Sequence, residues 1–192
     1  STPTGHAVIQ VTPEKENSIL VFPGANHCFT MAYIEKVLNC SEPGDVVLLQ
    51  NEINDVPLIL ELAKAHKLKT IFNAAPANNT ITRYPLHLVD LLIMNEGEGK
   101  TMSHQTSPEA ILHHLNLEYP NTALLLTLGQ HGARYMDNTQ RITVPAESVP
   151  VVDTSAAGDT FIGYFLSYFL KGNPMESCLN FATRAFAHCI GK

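Results

Sequence analysis

Short apolar segments alternating with amphipathic helical ones constrain this chain more than any other feature. Segments 46–49, 70–72, 88–94 and 123–128 are apolar runs of strand length. Between them, segment 56–67 places Val56, Ile59, Leu60 and Ala63 on one helical face, with Asn54 and Asp55 as capping candidates and Pro57 in the first turn. A further helix, 107–117, opens with Ser107 as a cap and Pro108 at the first helical position. Strands that alternate with helices build βαβ units, and nearly continuous apolar strands suit a parallel sheet covered on both faces. The expected fold is α/β, a three-layer αβα arrangement around a mainly parallel sheet. Ligands of such sheets sit beyond the carboxyl ends of the strands. Residues that directly follow strands are therefore the first to search for chemistry.

The flanking segments follow other patterns. His6–Val11 and 18–22 alternate in polarity around Pro13-Glu14-Lys15-Glu16-Asn17, which predicts a hairpin. Pro23-Gly24-Ala25-Asn26 breaks it, and 30–38 is helical in pattern. Ala133–Met136 and Arg141–Val144 flank Asp137-Asn138, a second expected hairpin. Two helices close the chain. The first places Phe161, Ile162, Phe165, Leu166 and Phe169 on one face and ends at Gly172. The second has Asn173 as its expected cap, Pro174 in the first turn, and apolar residues from Cys178 to about Cys189.

Of the 192 residues, 45% are hydrophobic and 16% charged, enough to bury a core. The net charge of −6 argues against nucleic acid or an anionic membrane as the main partner. The longest apolar runs are far short of a membrane span. Cys28, Cys40, Cys178 and Cys189 form no CxxC pair and no zinc-like spacing with histidine, so free thiols in a reducing cytoplasm are expected. No signal-like segment opens the chain. Ser1 stands in a strand approach and Lys192 directly follows a helical pattern, so a fragment of a longer protein is expected.

The densest chemical signal is Val151-Val152-Asp153-Thr154-Ser155-Ala156-Ala157-Gly158-Asp159-Thr160-Phe161. An extended apolar stretch runs into small residues and then into an amphipathic helix. Small residues let a ligand approach the backbone, and the free N–H groups of a helix start attract anions. Asp159 there has two uses. It can cap the helix, the commoner use, or accept a proton from an attacking hydroxyl beside a phosphate cradle. Asn95 and Glu98 likewise read either as a polar loop with a helix cap or as oxygen donors around hydrated Mg²⁺. Gly129 and Gly132 fit a plain turn as well as a nucleotide lying over the backbone. Glu52 alone reads as a surface residue and Asp153 as a turn residue. No P-loop, dinucleotide fingerprint or Gly-x-Ser-x-Gly elbow is present.

Asp153-Thr154-Ser155-Ala156-Ala157-Gly158-Asp159-Thr160-Phe161 closely resembles the C-terminal signature of the ribokinase family, the PfkB-type carbohydrate kinases. Further resemblances occur in family order. Leu49-Gln50-Asn51-Glu52 is similar to the strand-end segment whose glutamate binds sugar. Asn73-Ala74-Ala75-Pro76 resembles the family's Asn-Pro-Ala-Pro, with Ala74 replacing proline. Asn95-Glu96-Gly97-Glu98 matches Asn-x-x-Glu, and Thr127-Leu128-Gly129-Gln130-His131-Gly132 matches the loop at the nucleotide site. Pro23-Gly24-Ala25-Asn26 resembles a segment frequent in ribokinases proper.

The resemblance implies transfer of the γ-phosphoryl group of ATP to a sugar hydroxyl, the 5-hydroxyl of ribose. It makes Asp159 the base that also contacts the sugar, and Ala156, Ala157 and Gly158 the anion hole. Asn95, Thr127, Gly129, Gly132, Gly158 and Thr183 become ATP contacts. Asn95 and Glu98 organise Mg²⁺. Asp153, Ser155 and Ile190 belong to a loop for activating K⁺, and Glu52 binds the substrate. Residues 1–23 become part of a β lid, through which a homodimer can form, and 24–192 the ATP-binding catalytic domain. Family members carry an N-terminal portion ahead of the counterpart of Ser1, with sugar-binding residues and much of the lid. Another sugar or a nucleoside as acceptor, or a non-catalytic binding module, are the alternatives.

Overall fold

The computed structural model describes residues 2–11, 17–154 and 156–191. Packing divides the chain into two compact units, Ser1–Asp90 and Leu91–Lys192.

The first unit opens with β1 (His6–Val11) and β2 (Asn17–Phe22), antiparallel, with His6 opposite Phe22. The expected turn at 12–16 lies outside the described residues. Val8, Ile9, Ile19, Leu20, Val21 and Phe22 on this ribbon are each 49% to 64% exposed. Gly24 follows with φ 53°, and a Cβ there would lie 2.5 Å from the Pro3 carbonyl oxygen, so the two ends of the ribbon can pass only at a glycine. Thr30 caps α1 (Met31–Leu38) by accepting the Tyr33 N–H.

In the same unit β3 (Val46–Gln50) pairs parallel with β4 (Lys69–Asn73), and α2 (Val56–Ala65) lies between them in sequence. α2 buries Val56, Ile59, Leu60 and Ala63, the face expected from their spacing. β3 differs from expectation. Only Leu49 is buried and Leu48 is 47% exposed, because among the described residues β3 pairs with β4 alone. The apolar run 88–94 also divides. Residues 86–88 form a 3₁₀ turn, and the strand starts only at Leu91. Asp90 causes the break, since its carboxylate accepts the Thr70 N–H at 2.7 Å.

The second unit holds β5 (Leu91–Asn95), α3 (Glu96–Ser103), α4 (Pro108–Glu118), β6 (Ala123–Thr127), β7 (Ala133–Met136), β8 (Arg141–Val144), α5 (Ala157–Phe169) and α6 (Met175–Ile190). β5 and β6 are parallel; β7 runs antiparallel to β6 and β8 antiparallel to β7. Leu91–Met94 and Leu124–Leu126 are almost wholly buried, as continuous apolar strands of a covered sheet should be. α5 buries Phe161, Phe165 and Leu166, and α6 buries Cys178, Leu179, Ala182 and Ile190. Asn173 does not cap α6. Its side-chain amide donates to the Tyr168 carbonyl and closes α5, while Pro174 occupies the cap of α6. The architecture is α/β.

Candidate active site

In the second unit, a cavity of about 320 Å³ opens where β5 and β6 end and α5 begins. Asn95, Thr127, Gly129, Gly132, Gly158 and Thr183 all line it. These are the six residues expected to contact a nucleotide, drawn from four separate stretches of sequence. Ala157, expected in the anion hole, lines it too.

The backbone explains why glycines stand here. After β6 the chain turns at Gly129, φ 55°, and leaves the turn at Gly132, φ 89°. The Leu128 N–H donates to the Gly132 carbonyl at 2.8 Å, and the Gly132 N–H to the Gly129 carbonyl at 3.0 Å. A Cβ on Gly132 would lie 2.0 Å from the Val144 carbonyl oxygen, so this glycine lets the loop close onto the end of β8. By contrast, a Cβ on Gly129 or Gly158 would meet nothing within 4 Å. Those two positions border open space, as a backbone cradle for a ligand requires.

α5 starts at Ala156, which takes the left-handed conformation with φ 55°. Alanine offers no side-chain oxygen, and among the described residues no side chain caps this helix. Its first-turn N–H groups lack intrahelical partners and carry the positive end of the dipole. Asp159, the third helical residue, is exposed and makes no hydrogen bond or ion pair among the described residues. Among the described residues the Asp159 carboxylate makes no capping bond, and it stands at the positive end of a helix.

At Asn95 and Glu98 the capping alternative is realised. The Asn95 side chain accepts the Glu98 N–H at 2.9 Å, and the Glu98 carboxylate accepts the Asn95 N–H at 2.7 Å, a complete capping box. Burial raises the Glu98 carboxyl above its ordinary value, opposed by the Asn95 hydrogen bond. Asn95 nonetheless lines the cavity, whereas Glu98 does not. Among the described residues no three His, Cys, Asp or Glu side chains converge as a metal cage. The Asn95 amide oxygen and one Glu98 carboxylate oxygen are the acceptors that close the start of α3. Of the K⁺ residues, Ser155 lies outside the described residues. The Ile190 carbonyl accepts the Val152 N–H at 2.7 Å and the Asp153 N–H at 3.3 Å, which ties that segment to the end of α6.

Glu52, in the first unit, is exposed on a segment stapled at both ends. Asn51 donates to the Pro76 carbonyl at 2.7 Å and accepts the Tyr84 hydroxyl at 3.0 Å. Asn54 makes a reciprocal pair with Phe29, accepting its N–H at 2.9 Å and donating to its carbonyl at 2.8 Å. The sequence suggests a helix cap at Asn54; the structure makes it a clamp. No sequence pattern singles out a site role for Tyr84, Ala146, Thr154, Phe161 or Phe186. The last four line the cavity, and the two phenylalanines look like ordinary core positions in the helical pattern.

A glycine-lined cavity at a helix N-terminus, with a free carboxylate one residue beyond its lining, defines a class of α/β phosphate-handling site. The profile of the "pfkB family carbohydrate kinase" matches residues 1–192. The chain belongs to this family of carbohydrate kinases. It is 33% identical over 200 residues to the ribokinase of Staphylococcus aureus strain COL, across 98% of this chain and 64% of that protein. It is 34% identical over 184 residues to the ribokinase of Bacillus subtilis strain 168, across 95% of this chain and 60% of that one. The ribokinase structure from Thermotoga maritima matches with a TM-score of 0.80 at 32% identity, over 100% of this chain and 65% of its own. The chain therefore spans 60% to 65% of the length of these relatives.

Proposed function

We propose that this chain carries the nucleotide-binding and catalytic part of an ATP-dependent sugar kinase that phosphorylates the 5-hydroxyl of ribose. The carrying observation is the uncapped start of α5. Among the described residues the Asp159 side chain has no partner there, beside a cavity bordered by Gly129 and Gly158. The ribose assignment draws on the ribokinase relatives, including one from Arabidopsis thaliana described as complexed with ribose and ATP, which is 27% identical with a TM-score of 0.77.

ATP supplies the transferable phosphoryl group. Asn95, Thr127, Gly132 and Thr183 border the nucleotide, with Gly129 and Gly158 keeping space for it. Asp159 accepts the proton of the sugar hydroxyl as it attacks. The N–H groups around Ala156, Ala157 and Gly158 stabilise the charge that develops, the Ala157 N–H exchanging its 3.3 Å bond to the Thr154 carbonyl for it. Asn95 and Glu98 position hydrated Mg²⁺, and Asp153, Ser155 and Ile190 contribute to the K⁺ loop. Glu52, held out by the Asn51 and Asn54 clamps, binds sugar hydroxyls. Residues 1–23 act as a lid whose exposed apolar ribbon pairs with a second copy. Cys28, Cys40, Cys178 and Cys189 stand outside any disulfide among the described residues, which fits a reducing cytoplasm, and no helix among the described residues is long and apolar enough to cross a membrane.

Calorimetric titration of the chain with Mg·ATP, with and without K⁺, and ATP consumption with and without ribose test this reading. Saturable ATP binding strengthened by K⁺ and ribose-dependent consumption are expected. Absence of ATP binding refutes it.

A further inference from the structure

A larger cavity, about 480 Å³, lies in the second unit between the first half of α4 and the hairpin β7–β8. The β7–β8 register sets Arg134 opposite Thr143 and Met136 opposite Arg141, so these four side chains share one face of the hairpin. The pairing of the Arg134 guanidinium with the Glu109 carboxylate of α4 shows that this face is the one under the helix. Ala110, Leu112 and Met136 give the cavity apolar walls. That ion pair neutralises one guanidinium. Arg141, by contrast, has no hydrogen-bond or ion-pair partner among the described residues, and neither does His113. On a chain of net charge −6, this cavity presents a local excess of cation beside apolar surface. None of its lining residues borders the nucleotide cavity.

We propose that this cavity is a binding site for a small organic carboxylate with an apolar body. A carboxylate matches the planar fork of one free guanidinium, here Arg141, by two parallel hydrogen bonds. The apolar body covers Ala110, Leu112 and Met136. The cavity volume falls within the range usual for small-molecule sites. A phosphate dianion suits it less, since its second charge would lie over apolar walls without a partner. The site stands independently of the nucleotide reading, because it uses other residues.

The test is a titration of the ¹⁵N-labelled full chain, followed by amide chemical shifts. The probes are 4-fluorobenzoate, its neutral analogue 4-fluorobenzamide, and inorganic phosphate. Saturable shifts confined to residues 107–113 and 134–143 are expected with 4-fluorobenzoate, with the amide and phosphate at least about tenfold weaker. Arg141 is exposed, so Arg141→Gln should keep the parent spectrum and ATP affinity while weakening 4-fluorobenzoate about tenfold. Equal binding of the amide or of phosphate at the same amides, or unchanged affinity in Arg141→Gln, overturns the proposal. So do unsaturable, scattered shifts, or shifts centred on Asn95, Thr127 and Gly129.

Discussion

Gly158→Ala separates a glycine kept for a ligand from one kept for the fold. Gly158 is the second residue of α5, and an added Cβ meets no atom within 4 Å. Alanine is the better helix former, by up to about 1 kcal/mol in a helix interior and less in the first turn. The substitution should therefore leave stability unchanged or raise it by roughly 0.5 kcal/mol, a Tm increase of about 1–2 °C for a chain of this size. The methyl group nevertheless borders the cavity. If phosphate oxygens approach that backbone, ATP affinity falls by about tenfold or more, equivalent to about 1.4 kcal/mol. Gly132→Ala provides the contrast. Its Cβ would stand 2.0 Å from the Val144 carbonyl at φ 89°, so the loop must shift. The strained backbone alone costs on the order of 1–3 kcal/mol, and Tm drops by several degrees. Differential scanning calorimetry and ATP titration of both variants supply the readouts. A Gly158→Ala protein that is destabilised, or that binds ATP like its parent, refutes the assignment of this glycine to a ligand.

Other outcomes follow from the same geometry. Burial alone would push the Asp137 carboxyl up, but hydrogen bonds from Thr139, the Tyr135 hydroxyl and Gln140 outweigh it and hold the group at about 2. A depressed folded-state value contributes stability that is fully present above the ordinary 3.8 and lost as pH falls toward 2. Asp137→Asn should therefore lower Tm at pH 6, and the gap to the parent should narrow between pH 4 and pH 2.5; a constant gap contradicts this. Asn54→Ala removes both bonds to Phe29 and should cost about 1–3 kcal/mol in urea unfolding, whereas equal midpoints would show that the clamp is idle. Leu20→Glu places a charge on the exposed ribbon opposite Val8, and sedimentation should report a monomer where the parent is a dimer; a parent that is already monomeric removes the lid-mediated pairing.

The parts legible in the sequence are those where local pattern and tertiary environment agree. β5 and β6 read as strands because their apolar residues are continuous and buried on both faces, and α5 and α6 because their buried residues recur at helical spacing. α3 is announced in the sequence only by the possible cap at Asn95 and Glu98, because Glu96-Gly97-Glu98-Gly99 carries no apolar helical face. The helix is held by its capping box and by packing, since a Cβ on Gly99 would lie 2.8 Å from Ile111. The roles of Asn54 and Asn173 depend on partners 25 and five residues away, and sequence spacing favoured a nearer use as caps. Asn95, Thr127, Gly129, Gly132 and Gly158, which line the cavity at the ends of β5 and β6, lie within motifs that the sequence shows in order. Phe161 and Phe186 line it too, and an aromatic residue at core spacing looks the same whether or not one edge of it borders a cavity.

The direct test of Asp159 as the base is a paired measurement on the parent chain and Asp159→Asn, by ATP titration and by ribose-dependent phosphoryl transfer. Asn keeps the size of the side chain and removes the proton acceptor. Both proteins should bind Mg·ATP within about twofold, while transfer to ribose by the variant falls at least about a hundredfold, the usual contribution of a general base. Comparable transfer by Asp159→Asn would contradict the account.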